Sequence, residues 1–162
     1  MAMKIVQEYI KEKHIYENIK SILLSNTFPY NFYDSVANQF DSQGFFFGHI
    51  LLQEGKVTSP YFFDIGMPIL GRLEFNYIHR MKINCFVKGA EHIVNESHRD
   101  MNEPHKVALW SLNTNNGYTL FDNGDRVPSV ENQMVYFDGS EKHSTVSQTD
   151  SKLRINVNIN YV

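Results

Sequence analysis

Residues 152–162 read KLRINVNINYV, and the side chains alternate without a break. Leu153, Ile155, Val157 and Ile159 fall on one face of an extended chain; Arg154, Asn156, Asn158 and Asn160 fall on the other. A period of two sustained this long excludes an amphipathic helix and predicts a strand with one apolar and one polar face.

Working back from that run, similar segments recur: YIHRMKINCFV (77–87), HKVALWSLN (105–113), GYTLF (117–121), NQMVYF (132–137) and KHSTVSQ (142–148). Gly, Asn, Asp and Pro clusters separate them at short intervals, the pattern of an antiparallel sandwich, barrel or jelly roll. The front of the chain differs. Over residues 4–24 the apolar positions Val6, Tyr9, Ile10, Ile15, Ile19, Ile22 and Leu23 mostly keep a helical period and predict one or two amphipathic helices. FPYNFY (28–33) and GFFFGHILL (44–52) read as aromatic strands, and Pro68 with its flanking glycines allows only a short helix near 69–75.

Bulk properties narrow the class. A chain of 162 residues fits one domain, and 12 Phe with 9 Tyr favour a β-rich core. The lone Cys85 rules out an internal disulfide framework and suits a reducing, cytoplasmic compartment. The opening MAMKIVQEYIKEKH lacks the apolar centre of a secretory signal, and no apolar run approaches the ~20 residues of a membrane span. A net charge of −3 argues against a life on nucleic acid.

The chemistry is concentrated in residues 96–113, ESHRDMNEPHKVALWSLN. On a strand His98 and Asp100 point the same way and can present an imidazole and a carboxylate to one ion. Chance alone supplies about one such pair in a chain of this composition, so the pair by itself decides nothing. His143, at the start of a later strand, is the best third ligand. Two neutral imidazoles and one carboxylate on one triangular face leave three coordination positions open, which suits non-haem Fe(II) better than zinc. Arg154, on the polar face of the last strand, offers a permanently charged fork to a carboxylate. Alone it would more often be solvated or paired with Asp138 or Glu141. His105 reads as the opening of a strand at the rim, and His14, His49, His79 and His92 as packing or solvent-facing residues. Trp110 suits a barrel core as well as a substrate contact, the Phe and Tyr runs read as core, and Cys85 as buried and inert.

The order His-x-Asp, His, Arg-x-Asn resembles that of the Fe(II)/2-oxoglutarate-dependent dioxygenases, nearest the small prolyl-4-hydroxylase-like kind, including versions encoded by bacteriophages. RMKINCFVKG (80–89), LWSLNTNNGYTLF (109–121), RVPSVENQMVYFDGSEKH (126–143) and RINVNINY (154–161) carry the resemblance, which covers residues 77–162 best. It implies a double-stranded β-helix (jelly roll) with N-terminal helices. His98, Asp100 and His143 would hold iron, and Arg154 would hold the far carboxylate of 2-oxoglutarate. Dioxygen would be the oxidant, with succinate and carbon dioxide as by-products. Asn84, Ser111 and Asn156 are implied as further cosubstrate contacts, whereas Phe86 stands where many relatives carry a tyrosine and offers no hydroxyl. The implied substrate is a peptide or protein. A nucleobase-modifying oxygenase and a metal-binding jelly roll without turnover are the alternatives. The loops that build the substrate pocket, among them DSQG (41–44), LQEGKVTSP (52–60) and NEPHK (102–106), spell no substrate.

Overall fold

The alternating run closes the fold. In a computed structural model that describes residues 1–37 and 44–162, it forms β11 (Leu153–Tyr161). The elements before it are β1 (Lys4–Val6), α1 (Lys13–Leu23), β2 (Asn31–Tyr33), β3 (Phe46–Gln53), β4 (Lys56–Val57), a 3₁₀ turn at Pro60–Phe62, and α2 (Gly66–Leu70). Then follow β5 (Ile78–Val87), β6 (Lys106–Ser111), β7 (Asn115–Phe121), β8 (Arg126–Ser129), β9 (Gln133–Asp138) and β10 (His143–Val146).

β11 lies between β5 and β6, antiparallel to both, at the centre of a large sheet ordered β1-β9-β6-β11-β5-β3-β2, with β4 hairpinned onto β3. A smaller antiparallel sheet, β10-β7-β8, faces it. Two facing antiparallel sheets built this way form the jelly roll, the double-stranded β-helix expected from the sequence.

The two faces of the large sheet have different partners. Ile155, Val157 and Ile159 of β11, Met81, Ile83 and Cys85 of β5, and Trp110 of β6 turn outward, into one core with Tyr16, Ile19 and Leu23 of α1 and with Ile69 and Leu70 of α2. At eleven residues α1 is too short to persist alone in water. Burial of its three apolar residues, about 1.5–3 kcal/mol each, holds it, and the Tyr16 hydroxyl donates to the Leu112 carbonyl at 2.7 Å. A smaller cluster, Val107, Phe121, Val127, Val135 and Phe137, joins the two sheets at one end. The remaining inner face is polar and lines a cavity.

Three local expectations are corrected. Residues 4–6 are a strand, not the start of a helix. The edge of β9 offers unpaired backbone groups that Lys4–Val6 satisfies, and Glu8, with φ of 49°, turns the chain before a helix can form. The short helix lies at Gly66–Leu70, before the expected 69–75, because Pro68 falls in its first turn, where no N–H is needed. The strand expected over 28–33 begins only at Asn31. Trp110 is a core residue, fully buried, with its indole N–H donating to Asn132 Oδ1 at 3.1 Å. Of the sequence's candidate pocket loops, residues 41–43 of DSQG lie outside the described residues.

Candidate metal centre

His98 and Asp100 do not sit on a regular strand, as the i, i+2 spacing suggested. The chain there is extended but pairs only through isolated bridges, Val94 with Val146 and His98 with His143, and bends at Asp100. The second bridge matters most. His98 N donates to His143 O, and His143 N to His98 O, both at 3.0 Å, so the two histidines are locked side by side by their own backbones. Their ring centroids are 5.0 Å apart.

One ligand atom each from His98, Asp100 and His143 lies within 4.8 Å of the others. The carboxylate oxygen Oδ1 of Asp100 is 3.6 Å from His98 Nε2 and 3.9 Å from His143 Nε2. Ligands around one ion at roughly 2.1 Å stand about 3–3.5 Å apart, so the two carboxylate–imidazole edges are a few tenths of an ångström longer than in a filled site.

The tautomers follow from the surroundings. His98 Nδ1–H donates to the Glu96 carbonyl at 3.1 Å, and His143 Nδ1–H to the Glu141 carbonyl at 3.2 Å. A carbonyl only accepts, so each proton is on Nδ1 and each Nε2 turns its lone pair to the centre. Asp100 is fixed likewise: Asn158 and Asn160 both donate to Oδ2, at 3.0 and 2.8 Å, leaving Oδ1 toward the imidazoles.

Electrostatics agree. Burial would raise the Asp100 carboxyl, but His98, His143, Arg80 and the Asn158 amide outweigh it and hold the group well below the usual carboxylate range. Burial also lowers His143 and keeps its imidazole neutral. At His98 burial acts in the same direction, but Asp100 and the Glu96 carbonyl overcome it and raise the group. A neutral imidazole, an imidazole held beside a carboxylate, and an ionised carboxylate make a donor set that fits a divalent ion.

The triad opens into a cavity of about 320 Å³. Two strands build its floor. Arg80, Lys82, Asn84 and Phe86 of β5 pair in register with Asn160, Asn158, Asn156 and Arg154 of β11. The rungs are linked: Arg80 Nε donates to Asn160 Oδ1 at 3.1 Å, Asn84 Nδ2 to Asn156 Oδ1 at 2.9 Å, and the Arg154 guanidinium lies over the Phe86 ring at 5.5 Å.

Arg154 is 3% exposed. Its Nε donates to Ser129 Oγ at 2.8 Å, and its Nη1 to Thr145 Oγ1 and, at 3.4 Å, to the Val146 carbonyl. Among the described residues no carboxylate is within ion-pairing distance, and neither Asp138 nor Glu141 reaches it; Asp138 instead meets the chain's amino terminus at 3.2 Å. Burial lowers the guanidinium to about 10, which leaves it charged at neutral pH. A buried cation held by neutral groups and opening on a cavity is a seat for an anion.

The structure therefore brings together His98, Asp100, His143, Arg154, Asn84 and Asn156. Ser111 is buried on β6 opposite Asn156 but is not part of the cavity wall; Thr119 and Thr145 of the small sheet supply the hydroxyls there. His105 is buried at the head of β6 and lines a separate hollow. Sequence reasoning missed Asn158 and Asn160, although their alternation with Arg154 was the available signal. It also missed Arg80, Lys82, Tyr33 and Phe46, which line the cavity although the aromatic runs read as core.

No protein-family model and no curated protein matches the chain. Solved structures do match its fold. An oxidoreductase of the 2OG-Fe(II) oxygenase family from Burkholderia pseudomallei aligns with a TM-score of 0.71 over 98% of this chain and 84% of that one, at 11% identity. A prolyl hydroxylase from Trichoplax adhaerens, in complex with a hypoxia inducible factor oxygen degradation domain peptide fragment, gives 0.66 at 10% identity, covering 98% and 82%. A prolyl-4-hydroxylase from Pseudomonas putida gives 0.61 at 11%, covering 98% and 91%. The chain thus has the fold seen in these oxygenases.

Proposed function

We propose that the protein is a non-haem Fe(II)- and 2-oxoglutarate-dependent dioxygenase that hydroxylates a C–H bond on a peptide or protein, with residues 1–162 acting as one oxygenase domain. The observation that carries this reading is the presence, in one cavity, of a two-histidine, one-carboxylate face and a buried guanidinium with no carboxylate partner among the described residues.

In this reading His98, Asp100 and His143 hold the iron, and Arg154 holds the far carboxylate of 2-oxoglutarate by charge-assisted hydrogen bonds. Asn84 and Asn156 offer amides along the wall between them. Ser111 stands behind that wall, opposite Asn156. Iron, 2-oxoglutarate and dioxygen together supply the chemistry that turns C–H into C–OH while 2-oxoglutarate becomes succinate and carbon dioxide. The chain's own contribution is order and exclusion. Asn158 and Asn160 aim the carboxylate, the Glu96 and Glu141 carbonyls aim the imidazoles, and Phe46, Phe86, Leu109 and Phe137 keep water from the walls.

The peptide bound to the Trichoplax enzyme, which shares this fold, supports a peptide substrate. Among the described residues no helix is long and apolar enough to cross a membrane. The free, buried Cys85, its thiol pushed up to about 11 by burial, suits a reducing cytoplasm, a host's if a bacteriophage encodes the protein.

The test is succinate formation from 2-oxoglutarate under Fe(II), ascorbate and air. Turnover above that of a His98→Ala control is expected even without substrate. Iron bound by the wild type with no succinate above the control would leave a metal-binding jelly roll without turnover.

A further inference from the structure

We propose that the side of the cavity formed by Arg80, Lys82 and Arg99 is a substrate subsite for a carboxylate, so that the target residue is presented by an acidic peptide. The inference deepens the oxygenase reading and rests on it.

Four cationic side chains, Arg80, Lys82, Arg99 and Arg154, line the cavity, and the described lining holds one carboxylate, Asp100. A divalent ion and a dianionic cosubstrate would cancel each other's charge, so the excess of positive charge would persist once both were bound. The sheet register divides the cations into two places. Asp100 is tied to β11 at Asn158 and Asn160, the rungs opposite Lys82 and Arg80. Arg154 lies four residues back along that strand, roughly 13 Å at the usual rise. A cosubstrate reaching from the triad to Arg154 would therefore run away from Arg80 and Lys82, whose rungs stand level with Asp100, and leave them unused.

Lys82 is the unexplained group. Its ammonium lies 4.0 Å from the centroid of the Tyr33 ring and 4.4 Å from that of Phe46. No carboxylate among the described residues pairs with it. The two rings stack on each other with centroids 4.8 Å apart, and the ammonium sits at the flank of that stack, held without being neutralised. Arg80 spends Nε on Asn160, and its Nη2 is a long 3.9 Å from Asp100 Oδ1, a contact that a metal ion would compete for. Arg99, exposed at the rim, lines both this cavity and the neighbouring hollow, where its Nε is spent on the Ser140 carbonyl at 2.7 Å. The cluster favours a peptide carboxylate over a nucleic-acid backbone. It is a single local cluster on a protein of net charge −3, whereas phosphate recognition runs along an extended basic surface.

The test is binding without turnover. Protein loaded with Mn(II) and 2-oxoglutarate, oxygen excluded, is titrated with a fluorescent proline peptide carrying Glu on both sides of the proline, with its Gln twin, and with a ten-nucleotide single-stranded DNA. The Glu peptide is expected to bind at least tenfold tighter than its twin at low salt, an advantage that shrinks as salt rises. Lys82→Met and Arg80→Gln should each erase most of the preference, and Lys82→Arg should retain it. Equal binding of the two peptides, or an undiminished preference in Lys82→Met, would overturn the subsite. Tighter binding of the DNA would overturn the peptide assignment. If Lys82→Met instead loses 2-oxoglutarate, the lysine serves the cosubstrate and the proposal fails. The succinate assay reads the oxygenase reading separately: a carboxylate preference without succinate would refute the oxygenase and leave the subsite standing.

Discussion

Asn160 donates to Asp100 Oδ2 at 2.8 Å, joining the last strand to the bend that carries the carboxylate. Asn158 makes the same kind of bond at 3.0 Å, so one carboxylate oxygen is held by two amides and the other is left for the imidazoles. β11 thus aims the carboxylate of the candidate metal face without supplying a ligand itself, while the two histidines are joined by their own backbones.

Removing one of those amides should loosen the metal and spare the fold. Asn160→Ala is expected to weaken Mn(II) or Co(II) binding about 10- to 100-fold, as loss of a partner behind a ligand usually does. Calorimetric titration of the variant measures it. Unchanged affinity would mean that Asn158 alone orients Asp100.

Gly117 on β7 lies against Arg154. A Cβ there would stand 2.9 Å from Arg154 Cδ and 2.9 Å from the Val146 carbonyl oxygen, and the backbone oxygen cannot yield. Gly117→Ala should therefore push the guanidinium out of place and cost 2-oxoglutarate about tenfold or more in affinity, with metal binding kept. Arg154→Ala should cost more, about 100-fold or above, since charge-assisted bonds contribute about 1.5–3 kcal/mol each. Cosubstrate titrations in the Mn(II)-loaded protein would separate the two. Wild-type affinity in Arg154→Ala would move the anion seat elsewhere.

Metal affinity should fall with pH. Both imidazoles must be neutral to bind, and His98, raised against its burial by Asp100 and the Glu96 carbonyl, gives up its proton less readily than a free histidine. Between pH 7.5 and 5.5 the Mn(II) affinity should drop about tenfold per unit or more, and a flat profile would contradict the assignment. The metal-free protein has its own signs. His143 is lowered by burial, so below about pH 6.5 the unfolded chain takes up a proton that the folded one refuses, and stability falls. Asp100, held low, stabilises above about pH 4, and that contribution is lost as pH falls through its folded value. His98, raised, stabilises below about pH 6.5 and loses that contribution as pH rises through its folded value.

Asn132 fastens the front of the chain to the large sheet. Its Oδ1 accepts from Ile10 N at 3.0 Å and from the Trp110 indole, its Nδ2 donates to the Ile10 carbonyl at 2.9 Å, and its φ is 57°. Asn132→Ala would leave the buried indole N–H without a partner and place alanine in the left-handed region. Together these should cost about 2–4 kcal/mol, measurable by urea unfolding. A loss below 0.5 kcal/mol, on the order of a surface substitution, would refute the clamp.

How legible all this was depended on range. The period of two in residues 153–159 is a local property, and it gave β11 and its two faces; the aromatic run at 44–52 likewise gave β3. Residues 4–6 misled because their pattern suits a helix, and only the distant edge of β9 selects a strand. His98, Asp100, His143 and Arg154 could be named from their order along the chain, but nothing in that order says which side chains stand behind them.

The sequence by itself determined the class of elements, the polar and apolar faces of the closing strand, and the short set of residues able to bind a metal and an anion, because periodicity and residue chemistry are written locally. Only the tertiary structure decided that Asn158 and Asn160 aim Asp100, that Arg154 is buried without an acidic partner among the described residues, and that Lys82 stands beside the stacked rings of Tyr33 and Phe46. Those relationships join residues tens of positions apart through sheet register. Register is set by the packing of the whole barrel, not by any single stretch of chain.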